Sequence, residues 1–343
     1  MLTTDGIRRR AGAGCPLYES EANMTTGVRR RSRLLRSQHI FAGVTLTPIM
    51  AYMMFFALLP MVWAVVITLF RYSPTRQGDV LGLGGGNPFV GLRNYLDLFS
   101  ASPNGQLFRV AVKNTLIFAL LVLPLNLLIT LPLAVLIESV RERLKVVFRT
   151  IYFLPTVTSM VAVAIIWGAV YNPTFGLLNL ALRAVGLPGR PWLTDATSRV
   201  LGVPIPMFCV IVTYVWQDMG YNLVIFIAGL QGIPEAFHEA AVVDGANAWQ
   251  RFWRITLPLL RPTLTFVIVM TMLSSWQQFV LVDVMMGHGG PSNVTRTLVL
   301  HVYETAFRFQ EMGLASTVAM ALFIIIMVTT LIQMRILRKE WEY

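Results

Sequence analysis

The side chains most able to do chemistry in this sequence lie where polarity is expensive. Asp218 falls inside an apolar run, and a charge at the middle of a bilayer helix costs roughly 2.5–3.5 kcal/mol on insertion scales. Tyr214 and Tyr221 stand four residues before it and three after it, so the three share one face of a helix. Gln217 and Asn222 flank that face. In the next apolar run Thr271, Ser274, Ser275 and Gln278 form a second polar stripe, with Trp276 and Gln277 beside it. Aromatic planes next to hydroxyls and amides suit a sugar, whose apolar face stacks while its hydroxyls need hydrogen-bond partners. Two plainer readings stand beside this one: small polar residues also tie helices together, and Trp216 fits an interfacial belt.

Other chemistries find no residues to carry them. The four histidines (His39, His238, His288, His301) are scattered without an i, i+4 pair. Cys15 and Cys209 make neither a metal motif nor a disulfide framework. No nucleophile motif or acid–base cluster lies in the apolar runs, so catalytic and metal sites are expected to be absent. A phosphate loop needs a lysine followed by serine or threonine; Lys113, Lys145 and Lys339 precede Asn114, Val146 and Glu340. The glycine-rich stretch at Gly82, Gly84, Gly85 and Gly86 opens no helix. The chain therefore cannot be its own ATP-driven motor.

The elements that must position these residues follow from composition. Charged residues make up 13% of the 343 and hydrophobic ones 55%, with a mean hydropathy of +0.63. A soluble domain carries about 25% charged residues, so a lipid solvent is the simplest remedy. The net charge of +11 reflects arginines at the ends of apolar runs, which is membrane topology rather than nucleic-acid binding. Residues 1–39 form a basic tail expected to be disordered, and Met24 opens an alternative start. Residues 40–343 form the membrane domain. Six runs reach the roughly 20 residues that a bilayer crossing needs: 41–70, 114–137, 151–170, 203–230, 262–282 and 313–334. With both termini inside, the cytoplasmic segments hold 18 of the 28 lysines and arginines, as the positive-inside rule requires. The expected fold is an all-α integral membrane protein of six spans, N-in and C-in.

Between the fourth and fifth spans lies a loop, 231–261, too polar to cross yet patterned. Pro234 suits a first helical position and Glu235 the first turn. The helix should run through Glu239, Ala240, Ala241 and Asp244 and end at Gly245, where a residue without a Cβ can turn left-handed. Asn247 and Gln250 read as a second N-cap with its capping-box partner, and Pro258 as the re-entry to the membrane. Small alanines beside one glutamate make a low surface shaped for a groove on another protein.

That loop carries a specific resemblance. Glu239-Ala240-Ala241, Gly245, Ile255 and Leu257-Pro258 stand at the spacing of the cytoplasmic signature of binding-protein-dependent importer permeases. Gly91-Leu92-Arg93-Asn94-Tyr95, Lys113-Asn114-Thr115, Phe148-Arg149-Thr150, Leu154-Pro155 and Gly289-Gly290-Pro291 resemble the sugar-permease branch, which includes maltose-type and glycerol-phosphate-type systems. The likeness covers roughly residues 40–340. It implies a channel-forming subunit of an ATP-driven importer in a bacterial or archaeal cell membrane, with no cofactor of its own. The implied partners are a second similar permease, two ATPase subunits that use ATP and magnesium, and an external binding protein that delivers a sugar-like solute. It further implies that Glu239, Ala240, Ala241, Asp244 and Gly245 form a coupling helix against the ATPase. Tyr214, Asp218, Tyr221, Ser275 and Gln278 would line the solute cavity, and Gly289-Gly290-Pro291 would belong to an outer loop facing the binding protein. An ion-coupled secondary transporter is the alternative. It would favour paired acids or broken helices in the bundle, where Asp218 is the only clear acid.

Overall fold

The computed structural model describes residues 41–76 and 85–337; the basic tail, Cys15, Gly82, Gly84 and residues 338–343 lie outside them. The chain divides into two compact units, Met1–Ala64 and Val65–Tyr343. In the first, the described residues are helical and belong to α1, Phe41–Ile67. A π-helical stretch at Met54–Leu58 lies just before Pro60, and the helix continues through that proline to Ile67. Proline cannot donate to the ladder, and a widened turn is one way a helix absorbs such a break.

The second unit is mainly helical in its described residues, with one two-stranded hairpin. It holds α2 (Arg93–Phe99), α3 (Pro103–Ser139), α4 (Glu142–Val157), α5 (Met160–Val170) and α6 (Leu177–Ala184). Strands β1 (Arg199–Val200) and β2 (Val203–Pro204) pair antiparallel. Then come α7 (Ile205–Gln231), α8 (Glu235–Val243), α9 (Ala248–Leu259), α10 (Arg261–Trp276), α11 (Val280–Met286), α12 (Leu298–Tyr303) and α13 (Met312–Leu337).

Four helices are long and apolar enough to cross a bilayer: α1, α3, α7 and α13. Their apolar runs agree with the sequence reading, but α3 starts at Pro103 rather than at Asn114. Its start is set by capping: Ser102 Oγ accepts from the Gly105 N–H at 3.1 Å and Pro103 opens the first turn. Pro124 and Pro132 sit inside α3 without ending it. The other two expected spans are bent pairs. The run 151–170 breaks after Pro155, at Thr158–Ser159, where both residues are extended, and α4 meets α5 at 97°. The run 262–282 stops at Trp276 and restarts as α11, while α9 meets α10 at 69°. Length and composition thus support four spans, or six if each bent pair counts as one.

Helix α7 is the hub, packing most extensively on α3 and α4. Its contact with α4 depends on Gly220: a Cβ there would lie 2.4 Å from the Tyr152 carbonyl oxygen and 2.6 Å from Thr156 Oγ1. Among the described residues three of the apolar clusters are the largest. One gathers Phe118, Val163, Val210 and Leu281, a second Phe108, Met272, Trp276 and Val318, and a third Leu131, Ile137, Phe226 and Val267.

Candidate functional site

The intramembrane carboxylate is held by a three-helix knot. Asn126 on α3 and Asn222 on α7 both donate from Nδ2 to Asp218 Oδ2 at 2.8 Å. Asn222 Nδ2 also reaches Asn126 Oδ1 at 3.0 Å and Thr271 Oγ1 on α10 at 3.2 Å. Thr130 Oγ1 donates to the Asn126 carbonyl. The knot offsets part of the cost of placing polar groups among apolar helices, because Asn126 and Thr271 bring partners from neighbouring helices, while the buried Asn222 Oδ1 has none.

The five candidate lining residues occupy different settings. Tyr221 is 40% exposed and belongs to an open seam on α7 with Gln217, Val224 and Ala228; Asp218 borders that seam. Tyr214 is buried, its ring edge-to-face with Phe118 at 5.3 Å. Ser275 is buried and donates to the Thr271 carbonyl of its own helix. Gln278 sits buried in the break between α10 and α11, its carbonyl accepting from Thr297 Oγ1 at 2.9 Å and its Nε2 without a partner. The shared helical face of Tyr214, Asp218 and Tyr221 therefore runs from packed interior to open seam. Asn126 was passed over in sequence reading; an asparagine within an apolar run is the signal that marks it.

Nearer the start of α3 than this knot, the segment from Gly287 to Arg308 is pinned to that helix. Asn114 Nδ2 donates to the carbonyls of Asn293 and Arg296 at 2.8 and 3.1 Å, and Thr115 Oγ1 accepts from the Leu298 N–H at 2.9 Å. Two sequence stretches singled out separately, Lys113-Asn114-Thr115 and Gly289-Gly290-Pro291, thus lie at the two ends of one joint. Within it the buried Glu304 pairs with Arg296, with His288 Nδ1 at 2.9 Å and with Arg308 Nη1 at 3.4 Å. His288 lies in the turn after α11, with its Nδ1 also 2.6 Å from Arg308 Nη1. Buried next to them, His301 has its pKa pushed down to about 4, first by desolvation and then by the Arg296 charge.

At the other end, α8 and α9 form the helix–turn–helix expected of the 231–261 loop. Gly245 has φ +76°. Its N–H bonds the Val242 carbonyl at 3.0 Å while the Ala246 N–H reaches back to Ala241 at 2.9 Å, the paired bonds of a Schellman end. Asn247 and Gln250 make both halves of the capping box. Two details differ from expectation. Pro234 is the N-cap, extended at ψ 132°, and the first helical residue is Glu235. The return toward the bundle occurs at Leu260–Arg261, with Pro262 in the first turn of α10, because Pro258 is accommodated near the start of a turn that continues α9. Glu239, Ala240, Asp244 and Gly245 are exposed and Ala241 is buried. The exposed surface also holds Phe237, Val242 and Val243, the last 87% exposed, a larger apolar patch than the alanines alone foretold. Between this loop and α3, Glu138 pairs with Arg149 and with Lys145 at 3.4 Å, and Gln231 approaches it at 3.5 Å.

Residues 131–341 match the family model described as "Binding-protein-dependent transport system inner membrane component". The chain is 32% identical over 308 residues to the lactose transport system permease protein of Rhizobium radiobacter, covering 88% of this chain and 96% of the relative. It is 32% identical over 276 residues to the sn-glycerol-3-phosphate transport system permease protein of Agrobacterium fabrum, covering 79% and 88%. In fold it is similar to a chain of a bacterial ABC transporter involved in the import of the acidic polysaccharide alginate. The TM-score there is 0.72 at 22% identity, over 92% of this chain and all of the other.

Proposed function

Because this chain belongs to the family of inner-membrane components of binding-protein-dependent transport systems, we propose that it is the permease subunit through which a sugar or sugar-like solute enters the cell. As a member of that family it is a non-catalytic subunit of the inner membrane, and ATP hydrolysis belongs to a separate subunit. The proposal extends this to six spans, N-in and C-in, with each bent pair crossing once. It also places a second permease and two ATPase subunits, which use ATP and magnesium, beside it, and an external binding protein above the segment around Gly289-Gly290-Pro291. The basic tail 1–39 is a cytoplasmic appendage to the membrane domain 40–343.

The observation that carries the coupling role is α8. It presents Glu239 and the apolar Phe237, Val242 and Val243 on its exposed surface and closes in a rigid glycine cap. A helix so built transmits a push, and an exposed apolar patch of this kind marks a protein contact. ATPase closure is then felt through Glu239, Ala240, Ala241, Asp244 and Gly245 and passed along α7 to the Asp218 knot. Asp218 and Tyr221 face the solute path in this reading, with Tyr214, Ser275 and Gln278 behind them. The lactose and glycerol-phosphate permeases among the relatives support a polyhydroxylated solute, and Asp218 weighs against a strongly anionic one.

Co-purification tests the coupling role. The tagged native chain, co-expressed with its candidate ATPase, should capture it, and Glu239→Lys and Gly245→Pro should both lose it. Proline cannot adopt φ +76° and lacks the N–H that closes the cap. Capture that persists in both variants would remove α8 as the coupling element.

A further inference from the structure

Helix α9, which leads from the coupling loop back to α10, carries a second exposed surface with a different composition. It meets α10 at 69°. With α10 crossing the bilayer, where spans tilt about 20° on average, α9 runs closer to the membrane plane than to its normal. The helix has two faces. Phe252 and Leu257 pack on the cluster of Leu131, Ile137 and Phe226, and Thr256 is buried. On the other side Trp249 and Trp253, one turn apart, are 70% and 49% exposed. Their rings meet edge-to-face at 5.5 Å, and Phe252 closes the group 5.4 Å from Trp253.

A helix turned to water would carry polar residues on that outer face. Here it carries two indoles, and residues 246–261 hold Arg251, Arg254 and Arg261 with no aspartate or glutamate. Indoles beside arginines are the composition of a membrane–water interface. Arginines near an anionic leaflet are drawn to its surface. An acidic protein surface would satisfy the arginines but gives the indoles no reason to stand outward as a pair.

We propose that α9 lies in the headgroup layer of the cytoplasmic leaflet, with Trp249 and Trp253 at the acyl boundary and Arg254 on anionic headgroups. The proposal rests on the inner-membrane reading given above. It makes α9 a lipid-anchored pivot between the moving α8 and the span that follows.

The test uses the complete transporter in nanodiscs of phosphatidylcholine and phosphatidylglycerol, with Cys15 and Cys209 replaced by alanine. A bimane fluorophore is placed through Trp253→Cys and, leaving both tryptophans intact, through Arg254→Cys. Leu128→Cys and Ile324→Cys, at exposed apolar positions near the middle of the runs on α3 and α13, serve as membrane controls. Both α9 labels should be quenched by lipid bearing a nitroxide on the headgroup and spared by one deep in the chain. The Trp253→Cys label should lose part of its quenching when phosphatidylglycerol is omitted. Absence of headgroup quenching in the complete transporter overturns the proposal, and quenching that appears only after the ATPase subunits are stripped away assigns the face to the ATPase. If the controls also escape the deep nitroxide, the membrane arrangement itself fails, and this proposal falls with it.

Discussion

One oxygen of Asp218 takes two amide hydrogens, one from α3 and one from its own helix, and that geometry separates two roles for the carboxylate. Hydrogen bonds between spans are worth about 0.6 to 1.7 kcal/mol each, so Asp218→Leu, which strands the Asn126 amide and removes one of the acceptors of Asn222 Nδ2, should lower the thermal midpoint of the purified complex. Asp218→Asn keeps an acceptor oxygen for Asn126 and Asn222. It should leave the midpoint unchanged and reduce solute uptake, because the charge at the edge of the open seam is gone. Native uptake by Asp218→Asn would mean that the residue only ties helices together. The sequence marked Asp218 as costly, since an acid in an apolar run is conspicuous. It could not say who answers that cost: Asn126 lies 92 positions away, and only packing brings it near.

At the scale of elements, α7 and α4 approach as closely as their backbones allow. A methyl group at Gly220 would meet the Tyr152 carbonyl at 2.4 Å and the Phe153 Cα at 2.9 Å, atoms that cannot swing aside. Overpacking of this kind costs about 1–3 kcal/mol, so Gly220→Ala should destabilise the folded permease. Gly232→Ala, at the end of the same helix with its nearest neighbour at 3.4 Å, should not. Equal midpoints for the two variants, measured by thermal unfolding in detergent, would refute the close approach. The helix–turn–helix of the 231–261 loop was legible for a local reason: Glu235, Asn247, Gln250 and Gly245 each act within one turn of their own helix. The bends at Thr158–Ser159 and Gln277–Phe279 were not, because hydropathy reports that a run is apolar and says nothing of its straightness.

For the whole molecule, the proposed topology places the hairpin turn at Leu201 outside and the start of α4 inside. Both Leu201 and Arg143 are exposed. In a cysteine-free background, a membrane-impermeant maleimide should label Leu201→Cys in intact cells and Arg143→Cys only after the membrane is opened. The reverse pattern would invert the protein and place α8 away from any cytoplasmic ATPase. Arginine and lysine counts carry this expectation, since the positive-inside bias acts during insertion, before tertiary contacts exist.

What the sequence determined by itself was whatever depends on neighbours along the chain: apolar runs, charge bias, the helix–turn–helix at 234–251 and the motif that spans it. Such features follow from the lipid solvent and from hydrogen bonds that close within a few residues. The tertiary structure alone decided which polar groups meet. It joined Asn114 and Thr115 to the segment at 293–298, gathered Arg296, His288 and Arg308 around Glu304, and buried Tyr214 and Ser275 while leaving Tyr221 open. Helical periodicity assigns a residue to a face, but whether that face meets a neighbour depends on how the helices cross.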